Sequence, residues 1–238
     1  RLIIFSPTAD KDAKMKRYIK DKHNFEVSYY PQYTDAIMRE EVANMEGDME
    51  EWRLFQKQKS AYAKYLRCKD VDDLDMDDLE ALYQIDFEKP QWKYKKEYYP
   101  SFAIVIDDHV GKKGVFGSNC TGYLSEICVT HRHISLSVYL LSQVFTNFIP
   151  KQFRGGVVNL WILFSTKSQK HKESIAEQVA NKVDTETFLK VWDYATKDSP
   201  HDCLVVDYKA PSIDYMFRKG FDKLIQINDE KDNERENP

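Results

Sequence analysis

The amino-acid sequence predicts an α/β protein built around a mainly parallel β-sheet. From residue 101 onward, short apolar runs alternate with segments of helical composition, a pattern typical of a parallel sheet with helices on both faces. The runs are continuously apolar, as expected for strands that are buried on both sides. With 238 residues, of which 42% are hydrophobic and 31% charged, the chain is long enough to enclose a large core.

The predicted strands are short and bulky, and each ends at a polar or proline-containing stretch. The first ends at Ser6-Pro7, and the second is edge-like and ends at Pro31. The strands are predicted at residues 2–5, 25–29, 102–106, 136–141, 157–164 and 203–206. The helices are predicted at residues 9–22, 34–67, 76–85, 121–130, 150–154, 169–181 and 185–196. Residues 1–225 are thereby predicted to form a single core, and the polar residues 226–238 a disordered tail.

Residues 32–100 are predicted to be a helical insertion between two strands of the sheet. Apolar residues recur there at steps of four and three, the spacing of one helix face, namely Met38, Val42, Met45, Met49 and Trp52. This stripe is interpreted as a core-facing helix, with a coiled-coil surface as the alternative, and Gly47 is a candidate break. Residues 69–88 carry nine acids against one lysine, which is typical of a solvated face or loop.

A basic and aromatic segment follows at residues 89–96, where Trp92 and Tyr94 lie among four lysines. Such a cluster can stack on single-stranded nucleic acid, although a linker that leans on the acidic helix beside it is the favoured interpretation. The net charge of the whole chain is −4, so any contact with DNA requires a local patch.

The cysteines predict a reduced compartment, because they include no C-x-x-C pair and follow no signal-peptide pattern. They are Cys68, Cys120, Cys128 and Cys203. Two of them begin the pattern C-x7-C-x2-H-x-H, which ends at His131 and His133. Zinc ligands are usually more tightly paired, so buried structural cysteines are the favoured interpretation. No apolar run approaches the ~18–20 residues that span a bilayer, and no membrane segment is expected.

The strand at residues 102–106 is the most informative stretch, because two adjacent carboxylates, Asp107 and Asp108, follow it directly. Acids at the exit of a buried strand are costly unless a cation or a polar group meets them. In P-loop NTPases that cation is nucleotide-bound Mg²⁺, held by an aspartate at this place. The favoured interpretation gives Asp107 to Mg²⁺ and Asp108 to the attacking water; the alternative is that both acids cap the following turn.

The loop at residues 111–118 contains glycines together with Lys112 and Lys113. It does not match the phosphate-binding pattern G-x-x-x-x-G-K-[ST], and no Gly-Lys-Ser/Thr sequence occurs anywhere in the chain. The two lysines are therefore interpreted as facing substrate. Further along, Gln143 follows the strand at 136–141 and is a candidate polar sensor, with a simple loop start as the alternative. Arg132 and Arg154 flank that strand in loops and are candidate arginine fingers, although a lone arginine is usually a surface residue.

The order of these pieces resembles the genome-packaging ATPases of large DNA viruses, the poxvirus-type branch of the FtsK–HerA class of P-loop ATPases. The series runs from Phe102–Asp108 through Thr130–Val138 and Leu140–Gln143 to Ile149–Arg154 and Leu160–Phe164. Residues 2–8 also look like the strand of that family that follows the P-loop helix. The similarity covers residues 1–30 and 101–225 loosely.

This resemblance implies a RecA-like ASCE core with a doubly wound sheet. It makes Asp107 the Walker-B acid, Asp108 the second acid and Gln143 the sensor, and it places Arg132 and Arg154 near positions that face a neighbouring subunit or the active site. It implies ATP and Mg²⁺ as ligands. The implied function is ATP-driven translocation of double-stranded DNA into a viral capsid, with Lys112 and Lys113 on the DNA backbone.

The implied protein is a homo-oligomeric ring that works at a capsid or portal-like vertex, in the host cytoplasm or viral factory or in the virion. The chain departs from the family pattern because the P-loop segment is missing and Asp108 stands where Glu is common. Two alternatives therefore remain: a non-hydrolysing structural or interaction subunit that retains the fold, and a related DNA helicase or translocase. As given, the chain is expected to be inactive.

Overall fold

The protein is described by a computed structural model that covers residues 1–21, 25–68, 70–94, 96–108, 115–116, 121–145, 149–154, 156–180 and 182–227. Contacts divide the chain into two compact units, Arg1–Gln143 and Val144–Pro238. Each unit contains its own four-stranded sheet. This division differs from the single core predicted over residues 1–225, and most of the predicted tail lies outside the described residues.

The first unit contains a fully parallel sheet, as the sequence predicts. Its strands are β1 (Leu2–Phe5), β2 (Val27–Tyr30), β3 (Phe102–Asp107) and β4 (Leu136–Leu141). Their order across the sheet is β2-β1-β3-β4. Parallel neighbours need a crossover between them. Helix α1 (Ala13–Lys20) lies between β1 and β2, and α4 (Tyr123–Thr130) lies between β3 and β4. The α/β class is therefore confirmed for this unit.

Burial is deepest at the two central strands. Ile3, Ile4 and Phe5 of β1 are all buried, so β1 is covered on both faces. In β3 the residues alternate: Phe102, Ile104 and Ile106 are buried, whereas those between them are half-buried. Strand β3 is thus an inner strand of the sheet, and one of its two faces is fully buried and apolar.

Two helices, α2 (Asp35–Tyr65) and α3 (Met76–Tyr83), lie between β2 and β3. The predicted stripe is confirmed as core-facing, since Met38, Val42, Met45 and Met49 are buried. The predicted break at Gly47 is wrong, because α2 continues through it. A glycine weakens a helix by only about 1 kcal/mol, which the buried stripe on either side easily offsets. The acidic α3 packs against the end of α2 through Ala61, Ala81 and Leu82.

The second unit contains an antiparallel sheet with the order β5-β6-β7-β8. Its elements are α5 (Lys151–Arg154), β5 (Leu160–Phe164), α6 (Gln169–Val179), α7 (Thr185–Thr196), β6 (Cys203–Asp207), β7 (Phe217–Lys219) and β8 (Lys223–Leu224). The sequence predicts β5 and β6 in a mainly parallel sheet, which is wrong, because they pair antiparallel. Two helices, α6 and α7, lie between β5 and β6 along the chain.

Replacement of Gly47 by alanine is expected to stabilise the first unit. Gly47 is exposed within α2, and an added Cβ meets nothing within 4 Å, so Gly47→Ala should raise the free energy of unfolding by about 0.5–1 kcal/mol. Gly220→Ala is the opposing control: its φ is +60°, and a Cβ there costs about 1–2 kcal/mol. Urea unfolding followed by circular dichroism measures both, and a destabilised Gly47→Ala would contradict the continuous helix.

Candidate active site at the carboxyl edge of the parallel sheet

Three neighbouring strands of the first unit end at the same edge of the sheet. The register pairs Phe5 with Ile106 and Asp107 with Leu141. The residues that follow β1, β3 and β4 therefore lie at one edge. The carboxyl edge of a parallel sheet is where ligand sites of α/β proteins are usually found.

Asp107 is held at this edge by a serine. The hydroxyl of Ser6, which directly follows β1, donates a hydrogen bond to Asp107 Oδ2 at 3.0 Å. Ser6 is fully buried, and its Oγ also lies 3.3 Å from the Thr8 hydroxyl. The Tyr29 hydroxyl donates to the Ser6 carbonyl oxygen at 2.8 Å, which fixes the backbone there. The half-buried carboxylate of Asp107 thus meets the polar partner that its position requires.

Asp108 adopts an unusual backbone conformation, with φ of 52°. This left-handed region costs an L-residue about 1–2 kcal/mol, although aspartate tolerates it better than most. Backbone strain of this kind persists where the surrounding structure enforces it, and it is common at functional sites. The chain therefore bends at Asp108, directly after Asp107, whose carboxylate accepts the hydrogen bond from Ser6.

Gln143 reaches the same edge as the two acids. It is exposed and lies two residues beyond Leu141, which pairs with Asp107 in the neighbouring strand. The structure therefore brings Asp107, Asp108 and Gln143 to one edge, as the sequence predicts. Ser6 was missed as a site residue, since the sequence shows it only as the end of a strand. The sequence shows only that a hydroxyl residue directly follows β1, the strand that pairs with β3.

Arg132 lies at the opposite edge of the sheet. It belongs to a 3₁₀ turn, His131–Ile134, that directly precedes the amino end of β4. A six-residue strand spans about 20 Å, so within one chain Arg132 is remote from Asp107. The expected role at the acidic edge is therefore not supported for Arg132 in cis. An action on a neighbouring subunit stays a prediction.

Arg154 belongs to the second unit and is engaged there. Only 7% of its surface is exposed. Its Nε donates to the Ile149 carbonyl oxygen at 2.7 Å, its Nη1 donates to Gln178, and its guanidinium lies 4.7 Å from the Phe145 ring centroid. Burial lowers the pKa of this guanidinium. An arginine finger has to reach outward, so this geometry favours a packing role within the unit.

Within the described part of the chain, the remaining candidates form no second site. Lys112, Lys113 and Cys120 lie outside the described residues. Among those that are described, no group of three or more His, Cys, Asp or Glu side chains is arranged to hold a metal ion. The buried-cysteine interpretation is confirmed for Cys128 and Cys203, and burial raises the pKa of Cys128 to about 12.

The donor atoms at the acidic edge suit Mg²⁺ better than a softer metal. Asp107 offers carboxylate oxygens, and Ser6 and Thr8 offer hydroxyl oxygens nearby. Mg²⁺ prefers oxygen ligands and commonly uses only one or two protein carboxylates together with substrate phosphates. The residues present therefore fit a phosphate-bound Mg²⁺. A cradle for those phosphates is not found in the sequence, which contains no Gly-Lys-Ser/Thr motif.

Comparisons with known proteins did not identify a relative: no protein-family model, no curated protein and no solved structure matched this chain. Over the described part of the chain, no helix is both long enough and apolar enough to cross a membrane. The function therefore has to be inferred from the residues of the chain itself.

The Cys128 thiol is expected to be inert in the folded protein. At a pH of ~8.5, where an ordinary cysteine is half ionised, Cys128 is almost entirely protonated because its pKa is raised. The residue is also buried, so an alkylating reagent cannot easily reach it. Cys68, which is half-buried, is the internal control and should be alkylated faster by iodoacetamide, as measured by peptide mass spectrometry. Equal rates for the two thiols before unfolding would contradict the buried placement of Cys128.

Proposed function

We propose that this chain carries the acidic half of an ATP-hydrolysing site of the P-loop class, within a RecA-like core. In this proposal the protein is a subunit of a motor that moves double-stranded DNA into a viral capsid. The observation that carries the proposal is the hydrogen bond from Ser6 to Asp107 at 3.0 Å. It holds a carboxylate at the carboxyl edge of a parallel sheet, next to a second acid in a strained turn.

Each residue at this edge has a distinct role in the proposal. Asp107, oriented by the Ser6 hydroxyl, holds Mg²⁺ directly or through water. Bound Mg²⁺ supplies neutralisation of the charge on the phosphate oxygens. Asp108 orients the attacking water for in-line displacement and accepts its proton. Gln143 senses the terminal phosphate or the same water from the neighbouring strand β4, which pairs directly with β3.

The proposal requires components beyond these residues. ATP needs a phosphate cradle, and none of the 238 residues forms a Gly-Lys-Ser/Thr motif, so the cradle has to come from other polypeptide. A trans arginine completes sites of this class. In a homo-oligomeric ring, Arg132 is the remaining candidate, because Arg154 is buried in the second unit. Double-stranded DNA and a capsid or portal-like vertex are the proposed partners, in the host cytoplasm or viral factory.

A second function is favoured by one observation, the missing phosphate cradle. A chain that keeps the sheet and the acids but cannot bind nucleotide would act as a structural or interaction subunit. A related DNA helicase or translocase would use the same catalytic edge as the packaging motor. A measurement of ATP hydrolysis distinguishes the structural subunit from an enzyme. A measurement of capsid association distinguishes the packaging motor from a related helicase or translocase.

The 238-residue chain alone is expected to hydrolyse ATP at the background rate. The reason is that the lysine and backbone amides that hold the β- and γ-phosphates are missing from its sequence. Release of inorganic phosphate, measured with and without Mg²⁺, tests this expectation. Turnover within the range of 1–100 s⁻¹, roughly that of phosphoryl-transfer enzymes, would show that the chain forms a complete site.

In a polypeptide that joins this chain to a phosphate cradle, Asp108→Asn is expected to abolish hydrolysis and to leave nucleotide binding intact. Asparagine tolerates the left-handed backbone of Asp108 but accepts a proton poorly, so the rate should fall by about 10²–10⁴. Asp86→Asn is the matched control, since Asp86 also has a positive φ, of 49°, and is exposed. Retained turnover in Asp108→Asn, measured beside nucleotide binding by calorimetry, would reject the assignment.

A further inference from the structure

The aromatic–lysine segment, residues 89–99, has no role in the proposed hydrolysis. It joins α3 to β3 and carries four lysines against one glutamate, together with one tryptophan and three tyrosines. Because the segment leads into the first residue of β3, its end lies at the amino edge of the parallel sheet. Asp107 lies at the other end of the same strand. The segment is therefore a separate surface from the candidate active site.

The first half of the segment is fixed to helix α2. The Trp92 ring packs against Trp52 and Phe55, with ring centroids 4.9 and 5.3 Å apart. Lys93 forms ion pairs with Asp48 and Glu51 of α2. The tryptophan is thus occupied by packing. The contacts of this half are with α2, whereas the linker interpretation named the acidic helix at residues 76–85. Trp92 is half-buried, so less of its ring is open to a base than at the exposed tyrosines of the same segment.

The second half of the segment presents open aromatic rings. Tyr98 is 68% exposed and Tyr99 is 54% exposed. Tyr99 meets the Trp52 ring edge-on, with centroids 6.2 Å apart, which positions the ring without covering it. Lys59 of α2 pairs with Glu97 and anchors the backbone between the two halves. The tyrosines are therefore held in place while their surfaces stay open to solvent.

A lysine without a carboxylate partner accompanies these rings. The Lys96 ammonium lies 5.6 Å from the Tyr98 ring centroid, and the Tyr98 backbone N–H donates to the Lys96 carbonyl oxygen at 3.0 Å. Within the described part of the chain, no carboxylate lies within ion-pair distance of Lys96. The one glutamate of the segment is neutralised by Lys59. The exposed end of the segment therefore combines aromatic faces with positive charge.

We propose that Tyr98, Tyr99 and Lys96 form a binding surface for single-stranded nucleic acid. Exposed bases stack on tyrosine rings, and an ammonium group contacts the adjacent phosphate. Duplex DNA keeps its base faces within its own stack, so these rings favour an unpaired strand. The positive charge of the surface complements phosphate and repels a basic protein partner. Binding does not require ATP, so this proposal stands or falls independently of the proposed hydrolysis.

Binding of a fluorescein-labelled oligothymidylate of about 15 nucleotides, followed by fluorescence anisotropy without nucleotide, tests the surface. Tyr98→Ala and Tyr99→Ala are each expected to weaken binding about tenfold or more, which is the scale of one base–aromatic stack. Tyr98→Phe keeps the ring and should bind like the unaltered protein. Tyr83→Ala is the matched control, since Tyr83 is 69% exposed on the acidic α3, and its affinity should not change.

Lys96→Gln tests the phosphate contact. Loss of one phosphate contact on a single strand should reduce the slope of log affinity against log salt concentration by about 0.7. Circular dichroism melts confirm that each variant is folded. Three results would overturn the proposal: no oligonucleotide binding by the unaltered protein, the same loss in Tyr83→Ala as in Tyr98→Ala, or a duplex that binds as tightly as the single strand with the same sensitivity to Tyr98→Ala.

Discussion

The parallel pairing of β3 between β1 and β4 is the constraint on which the candidate active site depends. It brings Ser6, Asp107 and Gln143 to one edge, and the hydrogen bond from Ser6 fixes the carboxylate there. A slip of one residue would exchange the faces of Ile106 and Asp107. The carboxylate would then enter the position of a fully buried isoleucine, where an unpaired charge is very costly. The register that buries the apolar face of β3 is therefore the same register that places Asp107 at the candidate site.

Helix α2 contacts both the sheet and the aromatic–lysine segment of the first unit. Near its start, Glu41 accepts a hydrogen bond from the Tyr30 hydroxyl at 2.6 Å, and Asp35 accepts one from the Tyr123 backbone N–H at 3.2 Å. Further along, Trp52 supports the aromatic–lysine segment. The same helix thus packs on the parallel sheet of the first unit and supports the proposed nucleic-acid surface.

Part of the candidate site was predictable because it follows from one rule of parallel sheets. Residues that directly follow neighbouring parallel strands share an edge, so the common edge of Asp107, Asp108 and Gln143 follows once β3 and β4 pair. Ser6 was not found, since its contact with Asp107 joins residues that are 101 apart in sequence. Arg132 precedes β4, so it lies at the edge opposite to Asp107, and its action on a neighbouring subunit stays a prediction. The burial of Arg154 was not predictable, because a single arginine gives no local sign of what covers it.

The sequence by itself determined the elements whose signal is local. The strands at β1 and β4 and the helix α7 have the predicted bounds, because apolar runs and helical spacing depend on near neighbours. Only the tertiary structure decided how those strands pair. The strands form one parallel and one antiparallel sheet, and β6 runs antiparallel to β5 instead of parallel as predicted. The tertiary structure also added the short polar strands β7 and β8, which form by pairing with β6 and with each other and so leave no local pattern. Strand pairing depends on contacts between residues far apart in sequence, and local composition does not encode their direction.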